Sequence, residues 1–292
     1  MSESELTLSH SQLGVWNKCR MAYHLSYVQG WTKKDKEKYF QRGGEIHDIL
    51  AEHYKGDPDA LKKWVQNALS SNLDYELVDQ ISWLMGRYFN DYAPYEDRDI
   101  EVLEVEKEFT IDVETPKGRI VTLHGFVDLV KKVNGKLWLV DHKTSGSAKF
   151  WTENEIVMDS QLPTYMGLMN RHGYNIFGCE FNFLNTYEYK KRNEVSPEKL
   201  FRRARTYRTE IEVDNILLEF GKAADDILDN RDNVRRSLSK DCSRCQFFDP
   251  CHLSLKGMKI EELLPAGFKL KGQENKEEFI APEGDSFSDS SF

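Results

Sequence analysis

The chain has 292 residues, 39% of them hydrophobic and 12% aromatic, which is enough for one large domain or two modest ones with an ample core. No run approaches 18 apolar residues, and the Met-Ser-Glu-Ser-Glu start lacks a signal peptide's basic and apolar parts, so the composition excludes a helical membrane protein and suits a soluble, cytoplasmic one. The formal charge of −9 disfavours indiscriminate nucleic-acid binding, although the charge is unevenly spread along the chain.

In chain order, residues 9–27 read as a helix opened by Ser9 or Ser11, with Leu13, Trp16, Tyr23 and Tyr27 on an apolar side. A second helix is expected over about 40–55, with Phe40, Gly43, Gly44, His47, Leu50, Ala51 and Tyr54 on one face. Further helices are expected near 58–71 and 76–92. The period then changes to two: Ile100, Val105, Phe109, Ile111 and Val113 mark a strand, Pro116-Lys-Gly118 a turn, and 119–133 a second strand. Asn134-Gly135 signals a two-residue type I′ hairpin leading into a third strand, whose Leu137-Trp-Leu-Val140 run reads as buried on both sides. Residues 159–172 read as a helix, 176–187 as a fourth strand and 197–229 as a long helix. The segment Lys190–Arg208 carries eight basic residues against two acidic ones, which suits a phosphate-binding channel or a solvated helix face. Residues 272–292, rich in Gly, Ser, Glu and Asp, read as a disordered acidic tail. Helices, three strands, helix, strand and helix together give an α/β fold with a mixed sheet, most of it in one domain.

The Asn134-Gly135 hairpin pairs Val133 with Lys136, and this register sets Asp128 opposite Asp141, with Cβ atoms roughly 4.5–5.5 Å apart. Like charges so placed repel, and a divalent cation between them removes the conflict. Lys143 lies two residues beyond Asp141 and shares its face. Two acids and a lysine on one sheet face suit metal-assisted chemistry on an anionic substrate. The alternative for Asp141 and Lys143 is a plain ion pair, for His47 a satisfied histidine on a buried helix face, and for Gln161 and Tyr165 a polar helix edge.

Asp141-His-Lys143 matches the D-x-K core of the PD-(D/E)xK nucleases. Gly44-Glu-Ile-His47, Gly125-Phe-Val-Asp128 and Gln161-Leu-Pro-Thr-Tyr165 stand around it in the order of the RecB-type branch, which the chain resembles over roughly residues 9–251. The resemblance implies a restriction-endonuclease-like mixed sheet flanked by helices, in a single nuclease domain over 1–271. It implies Mg²⁺ or Mn²⁺ held by His47, Asp128, Asp141 and the His142 carbonyl, with Lys143 serving the attacking water or the phosphate. Gln161 and Tyr165 would contact the DNA backbone. Pro163 fits only a helix's first turn, so that helix should start close to Gln161.

Cys242-Ser-Arg-Cys245 with Cys251 makes a C-x2-C-x5-C cluster, for which Cys19, Cys179 or His252 could supply a fourth ligand. The iron–sulfur members of the branch, the CRISPR adaptation nucleases among them, place one cysteine on the N-terminal helix and three near the C-terminus. By that resemblance Cys19, Cys242, Cys245 and Cys251 would hold a structural [4Fe–4S] cluster joining the two ends of the chain, with zinc as the other occupant.

The resulting expectation is a metal-dependent deoxyribonuclease, an exonuclease acting at DNA ends in recombination or repair and suited to a phage. The alternative is a catalytically silent DNA-binding or CRISPR-adaptation-type subunit on the same fold. Arg202, Arg205 and Arg208 are expected to line the DNA channel. The tail, ending on Phe292, would recruit a single-stranded-DNA-binding or recombination protein.

Overall fold

In the computed structural model the chain divides into two compact units, Met1–Tyr23 with Lys36–Ser237 and His24–Asp35 with Leu238–Phe292. The structure describes residues 6–34 and 38–271, so the expected tail lies outside the described residues. Among these there are eight strands: β1 (Leu6–Leu8), β2 (Trp31–Lys33), β3 (Ile100–Glu114), β4 (Ile120–Val133), β5 (Lys136–Ser145), β6 (Ile176–Asn185), β7 (Phe201–Thr206) and β8 (Phe268–Leu270). No helix among them is long and apolar enough to cross a membrane.

Six strands form the sheet of the first unit, in the order β1-β4-β5-β6-β7, with β3 paired to β4. The β4–β5 hairpin turns on Asn134 and Gly135, both at positive φ (49° and 77°), as a type I′ turn requires. Val133 faces Lys136 and Leu129 faces Val140, the register that the turn dictates. Leu139 and Val140 are fully buried and Trp138 nearly so, as a strand covered on both faces should be. β5 runs parallel to β6, and the intervening helix Gln161–Arg171 makes the crossover that parallel neighbours require. A mixed sheet flanked by helices is therefore present as expected.

At the N-terminus Ser9 caps the helix His10–Lys18 in a reciprocal box with Gln12, and that helix stops at Cys19, whose backbone is extended. The expected single helix over 9–27 is thus broken into His10–Lys18, Arg20–Tyr23 and a π turn His24–Val28. On the helix Lys38–Tyr54, Ile46, Ile49, Leu50 and Tyr54 enter a core with Leu77, Ile81, Leu84, Met85 and Tyr88 from the helix and π turn spanning Tyr75–Tyr92, and with Leu129, Val140 and Leu184 from the sheet.

The expected long helix over 197–229 is corrected by the structure. It contains a single turn Pro197–Leu200, then β7, then the helix Glu210–Asn230, opened by a Thr209–Glu212 capping box. Arginines and alanines are good helix formers, but here Phe201, Ala204 and Thr206 are buried against β6 while the arginines between them reach ion-pair partners. Pairing along the exposed edge of β6 outweighs local propensity. In the second unit β2 pairs antiparallel with β8, and Phe247 stacks on Phe268.

Candidate active site

The site lies in a fork of the first unit's sheet. β1 and β5 occupy the same edge of β4 in succession: β1 pairs with Val121–Leu123 and β5 with Leu129–Val133. The span between the two ladders carries Gly125 and Asp128. The β4–β5 ladder ends at Leu129 and Val140, one pair short of the two acids, so Asp128 and Asp141 stand where the strands part and are not a ladder pair. Asp128 bridges the gap itself, its Oδ2 accepting the His142 N–H at 2.6 Å. Burial, and then the charge of Asp141, push its carboxyl well above the ordinary carboxylate range.

Asp141 is 7% exposed, and its Oδ2 lies 2.7 Å from Lys143 Nζ. The angle at that contact does not make a hydrogen bond, so a buried carboxylate oxygen is held by charge alone. Lys143 Nζ also donates to Gln161 Oε1 at 3.0 Å. Burial opposes the lysine's charge, but Asp141, Asp159 and Asp128 outweigh it and hold its pKa above the usual value. In this state Lys143 is a fixed cation and not a proton acceptor.

The helix carrying Gln161 starts there because Asp159 Oδ1 accepts from both the Gln161 and Leu162 N–H groups (3.1 and 3.4 Å), with Pro163 in its first turn as expected. Tyr165, one turn on, packs against Gly125. A Cβ at Gly125 would stand 2.9 Å from Phe109 Cζ and 3.0 Å from Tyr165 Oη, so this glycine is needed for close approach. Burial, and then Asp141's charge, push the Tyr165 hydroxyl up to about 12, leaving a neutral hydrogen-bonding group.

His47 projects from its helix toward β4, with Nδ1 3.6 Å from Asp128 Oδ2. Gly43, and not the motif's Gly44, is the tight residue on this helix: a Cβ at Gly43 would meet Thr144 Oγ1 at 3.1 Å, whereas one at Gly44 would meet nothing within 4 Å. The His142 ring is stacked on Tyr54 and lies edge-on to His47, with Nδ1 3.0 Å from Asn182 Nδ2. Burial, and then His47, lower its pKa well below the usual value, so the ring is a neutral core group. Its backbone N–H faces the fork, where Asp128 accepts it, and the C=O of an extended residue leaves on the same edge.

The donor set fits a divalent cation. His47, Glu106 and Asp128 each offer a ligand atom, all within 4.8 Å of one another, and among the described residues no other group of three or more His, Cys, Asp or Glu is so placed. A buried acid raised by desolvation and a buried carboxylate oxygen lacking a hydrogen bond are the features that a hard cation would relieve.

The profile of the PD-(D/E)XK nuclease superfamily matches residues 7–252. The chain belongs to that superfamily. Among solved structures it is similar to a protein from Eubacterium rectale provisionally assigned as an exonuclease, with 13% identity, a TM-score of 0.51, and coverage of 82% of this chain and 87% of the other. It also matches an alkaline exonuclease from Laribacter hongkongensis at 12% identity, a TM-score of 0.32, and coverage of 67% and 95%. No curated protein sequence matches it significantly.

In this PD-(D/E)XK chain the structure gathers His47, Asp128, Asp141, Lys143, Gln161 and Tyr165, all of them legible in the sequence, around one fork. It adds three residues that the motifs do not announce. His10 sits 2.9 Å (Nε2) from Ser160 Oγ and edge-on to Tyr165. Burial, and then Lys143, lower its pKa to about 4. Asp159 is the helix cap that also faces Lys143. Glu106 lies across from Asp128 on β3. The signal for it was the Pro116–Gly118 turn, which sets Glu114 opposite Ile120 and, continued along the strands, Glu106 opposite Asp128.

The three arginines expected in the DNA channel have other partners. Arg202 bonds the Trp151 carbonyl at 2.8 Å and pairs with Glu153. Arg205 pairs with buried Glu180 at 2.8 Å and lies over Trp138. Arg208, its side chain 4% exposed, bonds the Ile156 and Val157 carbonyls. These contacts brace β7 against the segment 151–157 and against β6.

The expected iron–sulfur cluster gains no support from the structure. Cys19 belongs to the first unit and Cys242, Cys245 and Cys251 to the second. None of the five cysteines is in a disulfide, and among the described residues no three thiols gather within the 4.8 Å that a single shared ion needs. Cys179, fully buried on β6, is a core residue as expected, and burial pushes its thiol up to about 12.

Proposed function

We propose that the chain is a divalent-metal-dependent deoxyribonuclease that degrades DNA from its ends. The observation that carries this reading is the fork itself, where Asp128 ties its oxygen to the backbone of the D-x-K strand and Asp141 meets Lys143. His47, Asp128, Asp141 and the His142 carbonyl would hold Mg²⁺ or Mn²⁺. Such an ion, when bound, supplies an acidic water and neutralises charge on the phosphate.

The remaining work falls to the chain's own side chains. Lys143, kept charged by its acids, presents a cation to a phosphate oxygen or orients a water through its ammonium donors. Asp141 and Gln161 both hold the Lys143 Nζ, and with Asp141 engaged as a metal ligand the Gln161 bond would remain to orient the ammonium. Tyr165 and Gln161 offer neutral hydrogen bonds to the DNA backbone. The neutral ring of His142 packs between Tyr54 and His47 and meets Asn182.

End-directed cleavage, a role in recombination or repair, and recruitment of a partner through the acidic tail are the finer parts of this proposal. The first is supported by the chain's likeness to the Eubacterium rectale fold. The four cysteines keep only their sequence pattern in favour of a cluster, and the iron and zinc content of anaerobically purified protein tests that point separately. The test of function is degradation of end-labelled linear DNA and of covalently closed circular DNA with Mg²⁺ or Mn²⁺. Linear DNA should be degraded and the closed circle spared. Equal attack on the circle overturns the end-directed part, and wild-type-like cleavage by Asp128→Asn overturns the site.

A further inference from the structure

Glu106 stands apart from every motif in the chain. β3 pairs with β4 through Val105–Leu129 and Lys107–Val127, and the ladder skips the pair between them, Glu106 and Asp128. At that point the β3 backbone turns into the left-handed region, with Glu106 at φ 49°. The register carried along the strands from the Glu114–Ile120 pair brings this residue opposite Asp128, and the β-bulge between Val102 and Glu104 shifts the pairing only beyond it. Left-handed backbone at a glutamate within a strand costs on the order of 1 kcal/mol or more, and nothing in strand pairing repays it.

The side chain answers for the cost. A Glu106 carboxylate oxygen, His47 Nδ1 or Nε2 and an Asp128 oxygen lie within 4.8 Å of one another. Ligands of one octahedral ion with bonds of about 2.1 Å are separated by roughly 3 Å when adjacent and 4.2 Å when opposite. The three groups are therefore within a small adjustment of a shared coordination sphere. They come from three elements: the helix Lys38–Tyr54, β3 and β4. Beside them Asp141 keeps a buried oxygen that lacks a hydrogen bond, near enough for its charge to act on both Asp128 and Glu106. Glu106 and Asp128 thus converge on one histidine with no lysine or arginine among the described residues paired to either, Lys143 being engaged by Asp141, and a bound positive charge would make the arrangement favourable. The neighbouring acids of β3 are spent elsewhere, Glu104 on Lys107 and Glu108 on His124.

We infer that Glu106 is a metal ligand of this chain, completing with His47 and Asp128 a cation position at the mouth of the fork. The inference rests on the nuclease reading and extends it by a residue that lies outside all four motifs.

The experiment is Mn²⁺ binding to the full chain without DNA, by calorimetry and by the Mn²⁺-induced rise in Tm. Glu106→Gln should weaken Mn²⁺ at least tenfold, the least expected for loss of a direct ligand. Glu106→Gly suits the left-handed backbone, so its metal-free Tm should be no lower than wild type, yet its Mn²⁺ response should fall as far as that of Glu106→Gln. Glu108→Gln, one alternation along the strand, should bind as wild type does. If both Glu106 variants bind Mn²⁺ with wild-type affinity while Asp128→Asn does not, the inference is overturned and the nuclease reading stands. If the wild-type protein binds no Mn²⁺, both are overturned.

Discussion

Lys143 carries the sharpest consequence at the scale of a single residue. In the metal-free protein it neutralises buried Asp141, and under the proposed function it serves the substrate, so one substitution should report on both. Lys143→Ala should cut DNA cleavage by about 10²–10³-fold, the range for loss of one electrostatic stabiliser. It should leave Mn²⁺ affinity unchanged or raised, because Asp141 loses its competitor. It should also lower metal-free stability by roughly 1–3 kcal/mol, since Asp141 would be buried without a counter-ion. Parallel activity, calorimetric and thermal measurements check all three, and a variant that cleaves normally would remove Lys143 from the chemistry. His10 makes a pH prediction. Its folded pKa is lowered to about 4 from 6.5, so the stability it contributes is complete above pH 6.5 and is lost as the pH falls through 4. His10→Gln should flatten the acid limb of the stability curve between those values by on the order of 1 kcal/mol, allowing for the ring's partial exposure.

At the scale of elements, what matters is how closely the helices approach the sheet at glycines. Gly125 lets the helix Gln161–Arg171 lay Tyr165 over β4, and Gly43 lets the helix Lys38–Tyr54 meet Thr144 on β5. Gly125→Ala should cost about 1–3 kcal/mol and reduce cleavage, because the methyl displaces Tyr165 or Phe109. Gly44→Ala meets no neighbour and should stabilise the helix by up to about 1 kcal/mol with activity retained. Chemical denaturation of the two variants separates a glycine that belongs to the site from one that only resembles a motif. β7 shows the opposite relation between sequence and element. Its arginines look like a basic helix, and their spacing becomes intelligible only once β6 supplies an edge and Glu180 a buried partner.

Across the first unit as a whole, a buried ionic network joins the strands behind the fork. Glu180, fully buried on β6, receives Lys131 of β4 at 2.5 Å and Arg205 of β7 at 2.8 Å, with Arg203 at 3.7 Å. Arg203 goes on to Asp97 and to the hydroxyls of Tyr54 and Tyr88, Tyr88 bonds Asn182, and Asn182 reaches the His142 ring. Burial opposes the charge of Glu180, but Lys131 and Arg203 overcome it and hold its pKa below the usual value. The network's contribution is thus present at neutral pH and is lost as the pH falls through that lowered value. Glu180→Gln leaves Lys131 buried without its anion and should cost about 3–5 kcal/mol, measured by urea unfolding at pH 7. A loss below 1 kcal/mol would mean that Arg203 and Lys131 find other partners.

The sequence by itself determined the hairpin, its register, the order of the four motifs and the start of the Gln161 helix. These rest on local rules: two residues at positive φ, alternation along a strand, and a proline confined to a first turn. The same rules placed Asp128, Asp141 and Lys143 together, whereas His47 joined them only through the resemblance to the nuclease motifs. Tertiary structure alone decided where the β4–β5 ladder stops, since the strands part only when β1 and β6 claim their own edges. It decided that the basic segment after Pro197 is an edge strand, because the free side of β6 and buried Glu180 are remote in sequence. It brought in His10 and Asp159, whose approach depends on a helix start and a helix cap that leave no periodic trace in the chain, and it gave Glu106, whose register follows from the Pro116–Gly118 turn, a left-handed backbone that no local rule announces. The cysteine pattern shows the same limit from the other side, since spacing along a chain cannot state the distance between segments some two hundred residues apart.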